Sequence, residues 1–422
     1  MLGFGLGFSA LMLAIGVPVF IVLILGSVIV CAFVYNIDLM IVVTQMISML
    51  NTYILLALPM FMLAGFLMIE SRAASYLVDF FEALLGHFPG GLALALVVTC
   101  GFFGALSGST LAAIVAIGGI MLPRMRAAGY SDGFSVGLLA VSSLLSMIIP
   151  PSNFMIMYCA ATETPVGQVF AAGIIPGIIL MFALVLASIA LPKGRVTVGK
   201  FDWARLKRAT IKALPVFGMP VVILGTIFTG VLTAVEAGAM AALYIIVIDL
   251  IFYRQLKWSR FWSAAKLSVT NTAMIYLLLA GVGAMVTVFH YTGLPMDIAN
   301  LARDAGNVPT FIVLFMIVAA ILGCFLDAAP TLYILATVLF ATAVALGIDP
   351  VHFGVFLTLA SALGMATPPM STGLYASASV AKISPHKAVP YAFYFVAIAF
   401  TVYLIVAFFP QLSLWTVNLI YG

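Results

Sequence analysis

The sequence predicts an all-α protein that crosses a membrane many times and is built from two repeats of inverted topology. Three observations carry that prediction. Apolar runs dominate the chain, positive charge gathers in two connections, and the second half repeats the polar breaks of the first. Of 422 residues, 65% are hydrophobic and 7% charged, with a mean hydropathy of +1.28. Soluble domains carry about a quarter charged residues, so an ordinary cytosolic or secreted globule is excluded. The net charge of +4, from 17 basic and 13 acidic residues, leaves too few cations for a nucleic-acid surface. Cys31, Cys100, Cys159 and Cys324 lie far apart without a CxxC, which suggests neither a disulfide framework nor a zinc site.

Apolar segments fall at 4–34, 38–69, 88–122, 133–161, 168–191, 214–231, 234–253, 267–290, 308–346, 351–381 and 388–409, and about 20 apolar residues suffice for a span. The first Lys or Arg is Arg72, so a basic leader is missing and the first helix is expected to be retained. Eleven of the 17 basic residues sit in two connections, 192–213 and 254–266. The positive-inside rule assigns both to the cytoplasm, and the two crossings between them agree with that. Connections without Lys or Arg, 162–167 and 347–352, then fall outside. Segments 88–122 and 308–346 are too long for one span and must return to their starting side. Each has a small polar break, Gly104-Ala105-Leu106-Ser107-Gly108-Ser109-Thr110 in one and Gly323 to Thr331 in the other. Both read as re-entrant helical hairpins, whose non-helical backbone at membrane depth needs protein or a water-filled cavity around it.

The hairpins belong to a longer duplication. Gly129 to Pro150 and Gly347 to Pro368 have the same spacing, and Ile149-Pro150-Pro151-Ser152-Asn153 matches Thr367-Pro368-Pro369-Met370-Ser371. His87-Phe88-Pro89 echoes Asn307-Val308-Pro309, and Leu63-Ala64-Gly65 echoes Leu279-Ala280-Gly281. The flanking charges invert: Arg124 and Arg126 follow the first hairpin, Asp349 and His352 the second; Glu163 follows the first Pro-Pro, Lys382 and Lys387 the second. Inverted repeats with broken helices are the architecture of secondary transporters, with the site near the midplane.

The breaks suggest chemistry. Proline has no N–H, so Pro150 and Pro151 are expected to free the carbonyls of Ser146 and Met147, and Pro368 and Pro369 those of Gly364 and Met365. A free carbonyl in hydrocarbon is costly unless something coordinates it, and a small hard cation could take several. Hydroxyls and an amide stand beside the breaks: Ser152, Asn153, Thr367, Ser371 and Thr372. Ser107-Gly108-Ser109-Thr110 opens a helix whose first amides favour an anion, although Gly104 and Gly108 also form a packing GxxxG. Asp327 is the only charged side chain between Asp304 and Asp349, and a carboxylate buried there would mark an ion or substrate path. Thr233-Ala234-Val235-Glu236 has capping-box spacing. His87, His290, His352 and His386 read as interfacial. With no HExxH and no GxSxG, an enzyme is not expected.

The ordered set of motifs resembles the large membrane subunit (DctM-like, M subunit) of TRAP transporters over essentially the whole chain. It runs through Ala57-Leu58-Pro59-Met60-Phe61-Met62-Leu63-Ala64-Gly65, Gly104 to Ser109, Ile148 to Ser152, Ala171 to Gly177, Gly230 to Glu236, Gly323 to Asp327, Gly347 to Gly354 and Thr367-Pro368-Pro369. The resemblance implies a sodium-coupled, elevator-type importer of an organic acid, such as a dicarboxylate or sialic acid, in a bacterial or archaeal inner membrane. It implies two partners, a small four-helix membrane subunit and an extracytoplasmic solute-binding protein. No resident cofactor is expected, Na+ being the coupling ion. Its sodium ligands would fall on Ser107, Gly108, Ser109, Ser152, Gly323, Asp327, Thr367 and Met370, and its substrate contacts on Ser107, Asn153, Thr331, Ser371 and Thr372. Three positions depart from the family pattern, Ser143-Leu144-Leu145-Ser146, Ala360 and Ser371.

Six segments are expected. Residues 1–87 and 234–307 form scaffold helices and arms, the arms near 71–88 and 291–306. Residues 88–191 and 308–409 form the hairpin and broken-helix transport halves. A basic connection and linking helix occupies 192–233, and 410–422 is a C-terminal tail. The N-terminus is expected in the cytoplasm and the C-terminus outside. A stand-alone sodium/anion symporter that needs no binding protein is the alternative; a channel or a scaffold without transport would ignore sodium.

Overall fold

The computed structural model describes residues 7–8, 11–12, 15–191, 196, 199–293, 296–297, 300, 308–367 and 371–422, with all their side chains except those of 320, 321, 324 and 325. The described residues form helices and connections, with no strand among them. Among the described residues, eight helices are long and apolar enough to cross a membrane, or nine if the bent pair Asp132–Ile148 and Asn153–Thr162 is one span.

The first repeat contains α1 (Val19–Phe33), α2 (Leu39–Leu50), α3 (Ala57–Glu70) and α4 (Ala73–Leu85). A hairpin of α5 (Gly91–Ser107) and α6 (Thr110–Ala127) follows, then a broken helix of α7 (Asp132–Ser142), α8 (Leu145–Ile148) and α9 (Asn153–Thr162), then α10 (Val166–Ala190). Helix α11 (Trp203–Phe228) links the halves. The second repeat contains α12 (Ala234–Ile248), prolonged by a π-turn (Asp249–Tyr253), and α13 (Trp258–Thr292). Its hairpin is α14 (Val308–Phe325) and α15 (Ala328–Ala345), and its broken helix is α16 (Pro350–Ala366) and α17 (Thr372–Ala381). Helices α18 (Val389–Phe408) and α19 (Gln411–Tyr421) close the chain.

Side-chain caps set the breaks. Ser109, Ser152, Asp327 and Ser371 each accept a backbone N–H from the first turn of the helix that follows, meeting donors that a helix start leaves unpaired. The Thr233–Glu236 capping box forms as expected.

The duplication extends to packing. Starts at 91, 110, 132 and 153 recur at 308, 328, 350 and 372. Helix α6 packs on α17 as α9 packs on α15, and α3 packs on α12 as α1 packs on α13. Each contact is the image of the other when the halves are exchanged. The inversion follows from α13. Along it, Tyr276 Oη donates to Leu55 O, Thr272 meets Met62, and Arg260 donates to Glu70 O. Rising numbers on α13 meet falling numbers on α3, so the two are antiparallel. Residues 275–288 of the same α13 are the counterpart of α3, and the counterparts therefore run in opposite directions.

Four expectations need correction. Segment 38–69 is two helices, separated at Asn51-Thr52, although its counterpart α13 runs on unbroken. The basic connections run into the helices that follow them: α11 already carries Arg205, Lys207, Arg208 and Lys212, and α13 carries Arg260 and Lys266. The tail is helix α19, whose Tyr421 packs on Gly167 of α10. His352 is buried rather than interfacial, with Ser413 Oγ 3.3 Å from one ring nitrogen and Ala407 O 3.4 Å from the other. The segment 71–88, expected as an arm, contains helix α4; the one near 291–306 lies mostly outside the described residues.

Positive charge collects at one end of the molecule. Arg124 at the base of the first hairpin bonds Asp79 (2.8 Å) and Glu82 (2.5 Å) of α4, and Arg205 of α11 reaches Glu82 at 2.6 Å. Arg126 bonds Asp132 and donates to Ala381 O, beside Lys382. Tyr253 Oη donates to Lys212 O, joining the two basic connections. At the opposite end Tyr158 Oη donates to Pro350 O.

Candidate functional site

Each hairpin tip seats on the broken helix of its own half. In the first half the seat is polar. A Cβ on Gly104 would lie 2.5 Å from Ser146 Cα, so only glycine lets α5 approach α8 this closely. Thr110 Oγ1 and Ser146 Oγ pair at 3.0 Å, and Ser146 donates to Ser143 O. Ser107 and Ser152 are completely buried. Gly108 holds the turn at φ +57°, where a Cβ would be 3.1 Å from Asn153 Oδ1. Ser109 caps α6 and keeps partial exposure. The first-half residues expected on the site, Ser107, Gly108, Ser109, Ser152 and Asn153, thus gather around one tip.

The second half replaces polar pairing with close backbone. A Cβ on Gly323 would lie 2.5 Å from Gly364 Cα. Asp327 caps α15, accepting from Ala328 N at 2.9 Å, and Thr372 Oγ1 donates to it at 3.4 Å from the start of α17. Asp327 and Thr372 therefore meet across the break. Ser371 caps α17 and is sealed, whereas Thr367 is half-buried and donates to Leu363 O. Met370, with Pro368 and Pro369, lies outside the described residues.

Two expectations about the breaks change. The Met147 carbonyl accepts from Ser152 Oγ, and the Gly364 carbonyl accepts from Thr367 N. Neither is the free ligand that proline chemistry alone suggested, because the next capping or turn residue reaches back to it. Asp327 keeps exposed surface rather than being sealed throughout, while its carboxylate is held by Ala328 N and Thr372 Oγ1.

The most informative atoms are those without partners. Asn153 is 3% exposed, and neither its Oδ1 nor its Nδ2 has a hydrogen bond; Thr331 is 0% exposed, and its Oγ1 has none. An orphaned buried polar group costs about 1–3 kcal/mol, and such groups call for an explanation. Asn153 opens α9 and Thr331 lies in the first turns of α15. Helices α6 and α17 run side by side in one direction, as residue 114 beside 373, 118 beside 380 and 126 beside 381 require. The image pair α9 and α15 shares that arrangement. Four helix N-termini thus begin between the two ends, two heading toward each; each carries partial positive charge, which Asp327 offsets at the start of α15. Such a centre suits an anion, and the Asn153 amide and the Thr331 hydroxyl add polar contacts that discriminate among anions.

Sequence reasoning missed Ser142, fully buried with an unpartnered Oγ on α7 near the start of α17, and the Thr110–Ser146 pair as a tie between tip and break. The signal was there: Ser142, Ser143 and Ser146 share helical spacing inside an otherwise apolar run. Among the described residues no three or more His, Cys, Asp or Glu side chains could hold a metal together. Oxygen donors here are carbonyls, hydroxyls and the Asp327 carboxylate.

Residues 6–412 match the family model described as the Tripartite ATP-independent periplasmic transporter, DctM component. The chain belongs to this TRAP transporter large-permease family. It is 34% identical over 381 residues to the ectoine TRAP transporter large permease of Halomonas elongata, covering 88% of each chain. It is 33% identical over 365 residues to the C4-dicarboxylate TRAP transporter large permease of Pseudomonas aeruginosa, covering 86% of each. The crystal structure of the Alcanivorax borkumensis YdaH transporter has the same fold, with a TM-score of 0.60 at 16% identity over 90% of this chain and 88% of that one. The chain is therefore a multi-pass transporter permease and not an enzyme.

Proposed function

We propose that this permease imports a small organic acid, driven by sodium, and receives it from an extracytoplasmic solute-binding protein. A small four-helix membrane subunit would complete the complex in a bacterial or archaeal inner membrane, with the N-terminus cytoplasmic and the C-terminus on the far side. The observation that carries the reading is the pair of orphaned buried groups on Asn153 and Thr331, set where helix N-termini converge. Anionic substrate would satisfy both and complete the electrostatics of the centre. The C4-dicarboxylate relative supports a carboxylate.

Sodium coupling is supported by the oxygen-rich breaks. Ser107, Gly108, Ser109 and Ser152 would supply hydroxyl and carbonyl oxygens in one half; Gly323, Asp327 and Thr367 would supply carbonyls, a hydroxyl and one negative charge in the other, where the resemblance also assigns Met370. Ions seated there would tie each tip to its broken helix, and substrate between the tips would join the two halves into one moving body. The closely packed interior favours rigid displacement of hairpins and broken helices against α1–α3, α12 and α13, an elevator motion with α4 as an arm.

The test is uptake into proteoliposomes containing this chain and the small subunit, with binding protein outside and a panel of labelled organic acids. An inward sodium gradient should drive accumulation of one class, and potassium should not replace sodium. Equal uptake in potassium would remove the coupling; uptake by this chain alone would remove the dependence on partners.

A further inference from the structure

The geometry points to a binding site for an anionic phospholipid headgroup at the corner between α12 and α13. The corner reads Leu250-Ile251-Phe252-Tyr253-Arg254-Gln255-Leu256-Lys257-Trp258-Ser259-Arg260-Phe261-Trp262. Its apolar side chains face outward: Leu250 is 72% exposed, Phe252 64%, Trp258 72% and Trp262 56%. Trp258 stacks on Phe261 at 5.4 Å and meets Trp262 edge-on at 5.7 Å. Trp sits by preference where hydrocarbon meets headgroups, and this cluster lies where two spans end.

The charge there is unbalanced. Among the described residues, the side chains of Arg254 and Lys257 are exposed and bonded to nothing, and Arg260 meets only a backbone carbonyl, Glu70 O. The nearest acid in the corner is taken. Asp249 is 3% exposed, and its carboxylate accepts from Gln255 N at 3.3 Å and Leu256 N at 2.8 Å. That buried carboxylate fixes the loop from inside, with Arg254 in the left-handed region at φ 51°. Tyr253 Oη pins the same turn to Lys212 O. The result is two cations carried on a fixed loop beside a Trp–Phe–Trp platform. A phosphate at headgroup depth would meet Arg254 and Lys257 while its acyl chains lie along the exposed apolar residues. Ordinary topology signals need only the charges; the fixed loop and the aromatic platform are what a lipid site adds.

The test uses the full chain in vesicles. The sequence has four tryptophans, Trp203, Trp258, Trp262 and Trp415, so W203F/W415F leaves the platform as the only reporter. Quenching by brominated phosphatidylglycerol and by brominated phosphatidylcholine is compared at equal mole fraction in a phosphatidylcholine bilayer. Phosphatidylglycerol should be enriched around the platform, by about fivefold for each cation engaged. R254Q/K257Q should abolish the preference, and R208Q, an exposed cation elsewhere, should leave it. Soluble glycerol phosphate at millimolar concentration should not compete. Equal quenching by the two lipids, or a preference surviving R254Q/K257Q in protein with an unchanged thermal midpoint, would overturn the site. Full competition by glycerol phosphate would overturn the lipid as its occupant.

Discussion

Adding a single methyl group to α5 tests whether the first hairpin is seated as described. At Gly104 the new Cβ would stand 2.5 Å from Ser146 Cα and 2.6 Å from Ser146 Cβ. Carbon atoms settle at about 3.5–4.0 Å, so hairpin and α8 must part by about 1 Å. The obstacle is backbone and cannot rotate away, which places G104A near the upper end of the 1–3 kcal/mol expected for overpacking, about 3 kcal/mol. A displacement of about 1 Å at a working site can cost on the order of 10²-fold in rate. Gly118 is the control. Its new Cβ would also lie 2.5 Å from an atom, but that atom is Leu139 Cδ2, the end of a flexible side chain, and G118A should cost under about 1 kcal/mol. Gly119 has nothing within 4 Å, so G119A should be neutral or gain up to about 1 kcal/mol of helix propensity. Thermal unfolding of the detergent-solubilised variants, followed by intrinsic fluorescence, should rank them G119A, G118A, G104A, and uptake should fail in G104A alone. Equal midpoints for G104A and G118A would refute the seating of the tip on Ser146.

Three further outcomes are expected. D327N keeps an N-cap of equal quality but removes the only charge at the tip, so uptake should drop at least tenfold with the thermal midpoint in sodium-free buffer unchanged; normal uptake would clear Asp327 of any role. N153A removes two orphaned atoms, so stability should stay within about 1 kcal/mol of the parent while substrate uptake falls more than tenfold, and a large destabilisation with intact uptake would make Asn153 structural. Burial of Glu82 pushes its carboxyl up, but the hydrogen bonds and charges of Arg205 and Arg124 outweigh that and hold it below the usual range. Its stabilising contribution is therefore complete above the ordinary glutamate value and disappears as pH falls through the lowered one. E82Q should cost about 1 kcal/mol at pH 7 and nothing at a pH where the parent carboxyl is also protonated; a deficit independent of pH would assign the loss to packing.

Much of this arrangement could be read in the chain because a bilayer leaves few options. Spans, hairpins and breaks must appear as long apolar runs with small polar interruptions, and Thr233 with Glu236 announces its own cap. The inverted duplication was legible because Pro-Pro pairs and glycines recur at one displacement with opposite flanking charge. What escaped depends on third-dimensional neighbours. Nothing local distinguishes the bend at Asn51-Thr52 from its unbroken counterpart in α13, and nothing tells that His352 is enclosed by α18 and α19. The fate of the break carbonyls cannot be read from the prolines, because Ser152 and Thr367 reach backward, a choice made by loop geometry. Its charge alone places Asp327 in a sealed core, yet the residue keeps exposed surface, since exposure is set by how α14, α15 and α17 meet.

The most direct test of the central claim is a sodium titration of the purified chain, read as the thermal unfolding midpoint at constant ionic strength with potassium as the balancing ion. If the tips and breaks cage sodium, the midpoint should rise with sodium as RT ln(1 + [Na+]/Kd) dictates, and D327N should flatten the curve. Superimposable sodium and potassium curves for the parent chain would contradict the account.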